Sequence, residues 1–234
     1  MSLQINLFLN ALAADERAAL MPHLSSKPLD QHQILFDIRD SITEVHFPTD
    51  AVVSLVTPLS TGEVVETAMV GRDGIVGAAA CLDGRASTNR GVVQIGGQSQ
   101  CIKVEHLRTL IGKHPRIASR LSAHEQVLLA QAQQSAACNI THNIENRLAR
   151  WLLRAADLHG RGELPLTQEY IAEMLGVRRT SVSVVAHTLQ QAGMISYSRG
   201  HIKINNREAL QEAACECYET VKMNYDGLLH PSNA

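Results

Sequence analysis

The chain of 234 residues is long enough for two domains, and its formal charge of −2 gives no overall sign of a nucleic-acid or membrane partner. The positive charge is nevertheless concentrated, because residues 141–207 contain nine Lys and Arg against five Asp and Glu. No apolar run has membrane-spanning length, and the first twelve residues lack the features of a signal peptide, so the sequence predicts a cytoplasmic protein.

The first hundred residues change from helical to strand periodicity. Asn10 to Leu24 has the apolar spacing of a short leading helix, whereas Ser26 to Val104 consists of short runs rich in Val, Ile and Thr between turn residues. The predicted strands are Ile34–Phe36, Val45–Phe47, Val52–Val56, Val64–Val70, Val92–Ile95 and Cys101–Val104. Strands this short and this regularly spaced predict a jelly roll or a barrel.

Helical periodicity begins after Glu105 and continues to about Leu158, with a new helix expected at Pro115. Residues at alternating intervals of four and three form a seam in that helix: Ile117, Leu121, His124, Leu128, Gln131 and Ser135. We predict that Ile117, Leu121, His124 and Leu128 form a dimer interface. The alternative is that this helix packs on its own barrel.

Glycines at 160 and 162 predict a hinge into a last small domain that contains two helices joined by a tight turn. Thr167 is a suitable N-cap for the first helix, and Gly176 can adopt the left-handed conformation that ends it. The second helix has an apolar stripe at helical spacing, formed by Val182, Val185, Ala186 and Leu189. Its opposite stripe contains Thr180, Ser183, Val184 and His187, and Arg178 and Arg179 lie at its start.

A helix, a glycine turn and a second helix form the helix-turn-helix pattern, whose second helix contacts base edges in the major groove. Arginine suits that position because its planar guanidinium donates two hydrogen bonds to guanine. A pair of surface arginines can also be merely solvated. The next segment, Met194 to Ile204, reads as a hairpin with Arg199, His201 and Lys203, which favours a basic wing that contacts phosphates.

With these motifs the chain resembles the Crp/Fnr family of bacterial transcription regulators over nearly its whole length. Thr167, Ile171, Gly176, Arg179 and Val182 match positions of the family's helix-turn-helix. The resemblance implies that Arg179 reads a guanine. Thr180 and Val184 depart from the family, which often has glutamate and a second base-contacting arginine there, so the operator need not be the family's usual palindrome.

The fold class that follows is α+β. An N-terminal helix and a jelly-roll sensor domain, similar to a cyclic-nucleotide-binding domain, are expected over residues 1–113. A dimerisation helix is expected over 114–139, and a winged helix-turn-helix DNA-binding domain with a C-terminal helix over 140–234. The predicted DNA-binding residues are Thr167, Arg178, Arg179, Thr180, Ser181, Ser183, His187, Arg199, His201 and Lys203.

Cyclic-nucleotide-binding relatives have a Gly-Glu pair for the ribose and a later arginine for the phosphate. Here Gly77 is followed by Ala78, and Arg85 and Arg90 lie near the arginine position without matching it. Gly77, Arg85 and Arg90 are therefore effector-site candidates, and a plain surface role is the alternative for the two arginines. Loss of the glutamate makes cyclic AMP an unexpected effector.

Five cysteines without framework spacing predict reduced thiols, and the first of them, Cys81, lies too late for the family's N-terminal iron–sulfur site. Asn206 to Leu229 reads as one amphipathic helix. On one helix Cys215 and Cys217 would not share a face, and no matching His or Cys pair lies near them in the sequence, so no metal site and no cofactor are predicted.

The sequence contains no nucleophile triad, phosphate loop or dinucleotide fingerprint in its required context, so an enzyme is not expected. The predicted function is a homodimeric, sequence-specific DNA-binding transcription regulator that does not depend on cyclic AMP. Its expected partners are double-stranded DNA, a second copy of the chain, a small-molecule effector of unknown identity and, for an activator, RNA polymerase. The alternative is a small-molecule-binding regulatory module that acts through protein partners.

Overall fold

The computed structural model describes residues 6–82, 84 and 86–230. Two short helices, α1 (Leu7–Asn10) and α2 (Ala14–Leu20), and a 3₁₀ turn at Met21–His23 replace the single leading helix expected from the sequence. The strands that follow are β1 (Ser25–Leu29), β2 (Ile34–Phe36), β3 (Glu44–Pro48), β4 (Val52–Pro58), β5 (Val64–Val70), β6 (Arg90–Ile95) and β7 (Gly97–Lys103), with helix α3 (Ala79–Leu82) between β5 and β6.

These strands form two facing antiparallel sheets, with the orders β1-β7-β3 and β2-β6-β4-β5. Alternating apolar side chains such as Val53, Val70 and Val93 are buried between them, as the period of two along a strand requires. The predicted jelly roll is confirmed. The strand β1 was missed because Ser25–Leu29 is polar and contains Pro28, which a sheet tolerates on an edge strand such as this one.

Helix α4 (Val104–Lys113) leads into the long helix α5 (Pro115–Thr141), which begins at the proline as predicted. The seam proposed for a dimer faces the body of its own chain, because Ile117, Leu121 and His124 are at most 1% exposed. Nε2 of His124 accepts a hydrogen bond of 3.0 Å from the backbone N–H of Ile75. Leu128 is half-buried against the barrel core. The assignment of Ile117, Leu121 and His124 to a dimer interface was therefore wrong, and the alternative of packing on the chain's own barrel holds for this face. The assignment of Leu128 stays a prediction.

Helix α6 (Ile144–His159) lies between the barrel and the last domain and is almost entirely buried. The last domain contains β8 (Glu163–Leu164), α7 (Gln168–Leu175), α8 (Arg179–Gln191), β9 (Ile195–Ser198) and β10 (His201–Ile204). One apolar core joins α6, α7 and α8 to barrel residues such as Val52 and Met69. The winged domain is thus packed on its own barrel.

Polar contacts reinforce this junction. The carboxylate of Asp73 pairs with Arg154 of α6 at 2.5 Å, and both side chains are at most 10% exposed. Trp151 Nε1 donates to Glu66 of β5 at 3.0 Å. At the predicted hinge, Gly160 ends α6 in the left-handed conformation, and the next residue, Arg161, pairs with Asp50 of the barrel at 2.6 Å. These contacts hold the region of the hinge against the barrel.

The C-terminal region forms two helices, α9 (Arg207–Ala213) and α10 (Cys217–Leu229), so the prediction of one continuous helix was wrong. Ala214, with ψ of 155°, leaves the helical conformation between them. Helix α10 packs along α5, where Tyr225 donates a hydrogen bond of 2.9 Å to Gln131. Among the residues described, no helix combines the length and the apolar character needed to cross a lipid bilayer.

Candidate DNA interface

The turn between α7 and α8 positions the candidate recognition helix. Thr167 caps α7 by accepting a hydrogen bond from the N–H of Tyr170 at 3.2 Å, and Gly176 adopts φ of 62° at the end of that helix. Val182, Ala186 and Leu189 of α8 are buried against α6 and α7, as their spacing predicted. Because this stripe faces the core, the opposite side of α8 faces outward.

Arg178, Arg179 and Thr180 are all exposed at the start of α8, and His187 is exposed two turns further on. The N-cap residue, Arg178, makes no capping hydrogen bond with its side chain. The first backbone N–H groups of α8 therefore have no side-chain cap, and the positive end of the helix dipole adds to the two guanidinium charges. This end of α8 can bind a phosphate or the acceptor edge of a base.

Two of the predicted contact residues are less available than the sequence indicated. Ser183 is half-buried, and its hydroxyl lies 2.6 Å from Gln168 Oε1, so it joins α8 to α7. Ser181 is also half-buried. Helical spacing placed both residues near the arginines, but it could not show which polar groups of α7 lie beside them.

The wing is a hairpin of β9 and β10 in which Arg199 and Gly200 form the turn, with φ values of 48° and 80°. Two consecutive left-handed residues are typical of a two-residue hairpin turn, and they project Arg199 at the tip. His201 and Lys203 are exposed on β10 and alternate with the buried Ile202. Nδ1 of His201 lies 3.2 Å from Glu163 of β8, a neighbour that the sequence did not reveal.

The barrel reaches the edge of this surface. Residues at the tip of the β4–β5 hairpin, including Glu63, line a cleft of about 830 Å³ together with Glu173, Gly176 and Arg178. Arg178 therefore lies at the border with the barrel.

A separate cavity of about 280 Å³ lies between the jelly roll and α5. Gly77, with φ of 85°, lines it together with Ala78 and with Glu125 and Leu128 of α5. Arg90 is not among its lining residues, and Nη2 of Arg90 pairs with Asp37 at 2.7 Å. The third effector candidate, Arg85, lies outside the described residues. No lining residue in the described part of the chain is Lys or Arg, and the charged group there is the Glu125 carboxylate.

Comparisons with known proteins agree with this geometry. Residues 146–213 match the family model of the Crp-like helix-turn-helix domain. Among solved structures, FixK2 from Bradyrhizobium japonicum aligns with a TM-score of 0.69 and 18% identity, covering 82% of this chain and 98% of that one. TTHB099, a transcriptional regulator of the CRP family from Thermus thermophilus, aligns with a TM-score of 0.66 and 20% identity, covering 82% and 99%.

The c-di-GMP-responsive global regulator CLP from Xanthomonas campestris aligns with a TM-score of 0.65 and 14% identity, covering 82% of this chain and 99% of that one. A comparison with curated protein sequences gives no match. Residues 146–213 are thus a Crp-like helix-turn-helix domain, and the chain has the fold of the Crp/Fnr regulators.

Proposed function

We propose that this chain, with its Crp-like helix-turn-helix domain, is a homodimeric transcription regulator that binds specific DNA sequences without cyclic AMP. The observation that carries the proposal is the start of α8, where Arg178 and Arg179 are exposed while the opposite stripe of the same helix is buried. A helix held in this way presents its first turn to the major groove.

The contact residues divide into two roles. Arg179 and Thr180 lie in the first turn of α8 and face base edges, with His187 further along the helix. Phosphate contacts supply affinity but do not read the sequence. The residues proposed for these contacts are Thr167, Arg178, Arg199, His201 and Lys203. Ser181, which is half-buried, contributes little to DNA contact. Ser183 positions α8 through its hydrogen bond to Gln168 and does not contact DNA.

Independence of cyclic AMP is supported by the composition of the cavity between the jelly roll and α5. Ala78 occupies the position of the ribose-binding glutamate, and the Glu125 carboxylate would repel a phosphate. Arg90, which follows the lining residue Asn89 in the sequence, is paired with Asp37. We therefore propose that the effector, if the cavity accepts one, is not a cyclic nucleotide bound in the way of those relatives.

For the dimer we propose the outward face of α5 instead of its buried seam. Six exposed residues follow the alternating intervals of four and three: Ser122, Gln126, Leu129, Gln133, Ala136 and Ile140. Leu129 is 59% exposed and Ile140 is 87% exposed, so this face carries two large apolar side chains that a second copy would bury. A second copy packed along this helix would bring two recognition helices to half-sites about 34 Å apart on DNA.

A charge on this face is expected to separate the dimer. Leu129→Glu should convert a species of twice the chain mass of 25.5 kDa into the single chain, because the carboxylate would be desolvated at the centre of the interface. Sedimentation equilibrium at micromolar concentration measures this change. Met223→Glu is the matched control, since Met223 is 63% exposed on α10. A monomeric wild type, or a Leu129→Glu chain that remains dimeric, would contradict the proposed interface.

The function itself is tested by footprinting genomic DNA with the purified protein. We expect protected sites with two half-sites one helical turn apart, and an affinity that falls linearly with the logarithm of salt concentration as phosphate counterions are released. Specific sites should bind at least 1,000-fold more tightly than random DNA, roughly the lower bound for regulators of this kind. Absence of salt-sensitive affinity for any DNA would favour the alternative of a regulatory module that binds protein.

A further inference from the structure

Three cysteines and one histidine meet where the end of α5 reaches the break between α9 and α10. Cys138 lies in the last turn of α5 and His142 directly follows that helix, while Cys215 lies within the break and Cys217 is the first residue of α10. Cys138 Sγ lies 3.5 Å from Cys215 Sγ, and Cys217 Sγ lies 3.6 Å from His142 Nδ1. All four of these atoms are within 4.8 Å of one another. Residues about 75 positions apart in the chain thus direct four potential ligand atoms into one small volume.

These separations are close to those around a single tetrahedral ion. With bonds of about 2.3 Å to sulfur and about 2.0 Å to nitrogen, the ligand atoms of such an ion are roughly 3.3–3.8 Å apart. The two short distances already fall in this range, and the widest pair must approach by about 1 Å. The three cysteines are between 0 and 7% exposed, so water does not compete freely for the position between them.

The surroundings of the cluster also suit a metal. Glu216 Oε2 lies 3.2 Å from His142 Nε2, which favours a proton on that nitrogen and leaves the lone pair of Nδ1 directed at the sulfur atoms. A carboxylate on the far nitrogen of a ligating histidine is a recurrent feature of zinc sites. Gln134 Nε2 donates a hydrogen bond of 3.0 Å to Cys217 Sγ, which stabilises negative charge on that sulfur.

We propose that Cys138, His142, Cys215 and Cys217 bind one zinc ion. Three thiolates and an imidazole are the donor set that zinc takes in structural sites, and they select against magnesium and calcium, which bind oxygen. With four protein ligands the ion has no open position for a substrate, so its role is structural. It would fix the end of α5 to the start of α10, next to the beginning of α6.

The sequence-based prediction of no metal site assumes that Cys215 and Cys217 lie on one helix. The break at Ala214 removes that assumption, because Cys215 precedes the first turn of α10 and both sulfur atoms can face α5. The missing pair of ligands consists of Cys138 in the last turn of α5 and His142, which directly follows the helix and whose N–H donates a hydrogen bond of 3.1 Å to the Cys138 carbonyl. Because they lie about 75 positions before Cys215 and Cys217, sequence spacing alone did not connect the two pairs.

The same residues could instead form a disulfide or bind an iron–sulfur cluster, and each of these alternatives predicts a different arrangement of the sulfur atoms. A disulfide between Cys138 and Cys215 would consume two of the three thiols and leave Cys217 and His142 without a function. An iron–sulfur cluster distributes its four protein ligands over at least two iron atoms, and ligands on different irons are farther apart than the 4.8 Å within which all four of these atoms lie. The close spacing therefore favours one ion.

The test begins with the full chain purified under reducing conditions from cells grown with zinc. We expect about one zinc per chain by elemental analysis, and a thiolate-to-cobalt charge-transfer band when cobalt replaces the zinc. Removal of the metal with a chelator should lower the melting temperature, and added zinc should restore it. A chain that contains no zinc and gives no cobalt band, a chain that contains iron, or a Cys138–Cys215 disulfide would overturn the proposal.

Single substitutions of the proposed ligands test whether the zinc ion is bound at this cluster. Cys217→Ser and His142→Ala should each lower zinc retention at least tenfold in competition with a chromophoric chelator. Cys81→Ser is the matched control, because Cys81 is a buried thiol of the barrel, distant from the cluster in the fold. Equal zinc retention by Cys217→Ser and Cys81→Ser would place the metal elsewhere. If Cys217→Ser does not fold, the cobalt spectrum of the unaltered chain still decides whether thiolates bind the ion.

Discussion

Replacing Arg179 with alanine is expected to weaken binding to a specific operator by 1 to 3 kcal/mol, roughly 5- to 150-fold, and to weaken binding to random DNA far less. The reason is position: Arg179 is the first residue of α8, exposed, on a helix whose other face is fixed in the core. A bidentate contact from that position distinguishes guanine from the other bases. Titration of labelled operator and random fragments at a fixed salt concentration measures both losses.

Lys203→Ala is the control for this measurement, because Lys203 is exposed on the wing strand β10 and is proposed to contact only phosphate. It should weaken binding to both fragments alike and reduce the salt dependence by about one counterion. If Arg179→Ala also weakens both fragments equally, Arg179 does not read a base, and the specificity of α8 has to come from Thr180 and His187.

The helix-turn-helix could be predicted from sequence because each of its parts has a local cause. Thr167 caps a helix, Gly176 permits a left-handed turn, and Val182 and Leu189 mark a buried stripe. Such signals depend on residues a few positions apart. The strands of the jelly roll were found for the same reason, whereas the polar edge strand β1 left no apolar signal.

The use of α5 could not be predicted in the same way. Periodicity showed that Ile117 and Leu121 share a face, but a buried face has the same pattern whether a second copy or the chain itself covers it. Here the covering groups come from distant segments, among them Phe8, Val221 and Tyr225. His124 and Gln131 were also poor indicators, because their polar atoms bind Ile75 and Tyr225 within the chain.

The candidate metal site could not be predicted either, because its ligands come together only through contacts between segments that are distant in the sequence. Ala213-Ala214-Cys215-Glu216 contains neither glycine nor proline, so nothing local predicts the break between α9 and α10. The break is observed where α9 packs on α6 and Asn146 donates a hydrogen bond of 2.7 Å to the carbonyl of Ala213. Tertiary contacts thus decide which side chains converge, and sequence spacing alone misassigned them.

Glu66→Gln is expected to make the protein about 3 kcal/mol more stable at pH 8 and to leave its stability nearly unchanged at pH 4.5. Burial between β5 and α6 raises the pKa of the Glu66 carboxyl from 4.5 to about 7, although hydrogen bonds from Ser54 and Trp151 oppose the shift. Between these two pKa values the folded chain keeps a proton that the unfolded chain has released. The stabilising contribution of the protonated group is therefore complete below pH 4.5 and is lost as the pH rises through 7. A shift of one pKa unit corresponds to about 1.4 kcal/mol.

The measured quantity has to be the difference in the free energy of unfolding between Glu66→Gln and wild type, because another buried group changes the stability with pH in the opposite direction. Burial lowers the pKa of His46 to about 4, so its contribution to stability increases from pH 4 to 6.5 and offsets that of Glu66 in the wild-type profile.

Urea unfolding can be followed by the emission of Trp151, the only tryptophan, which donates its N–H to Glu66. The matched control is Glu63→Gln, which replaces an exposed glutamate on the same hairpin. Since Glu66 lies at the contact between barrel and winged domain, a difference in stability between Glu66→Gln and wild type that is the same at pH 4.5 and at pH 8 would show that ionisation of Glu66 costs nothing at this junction.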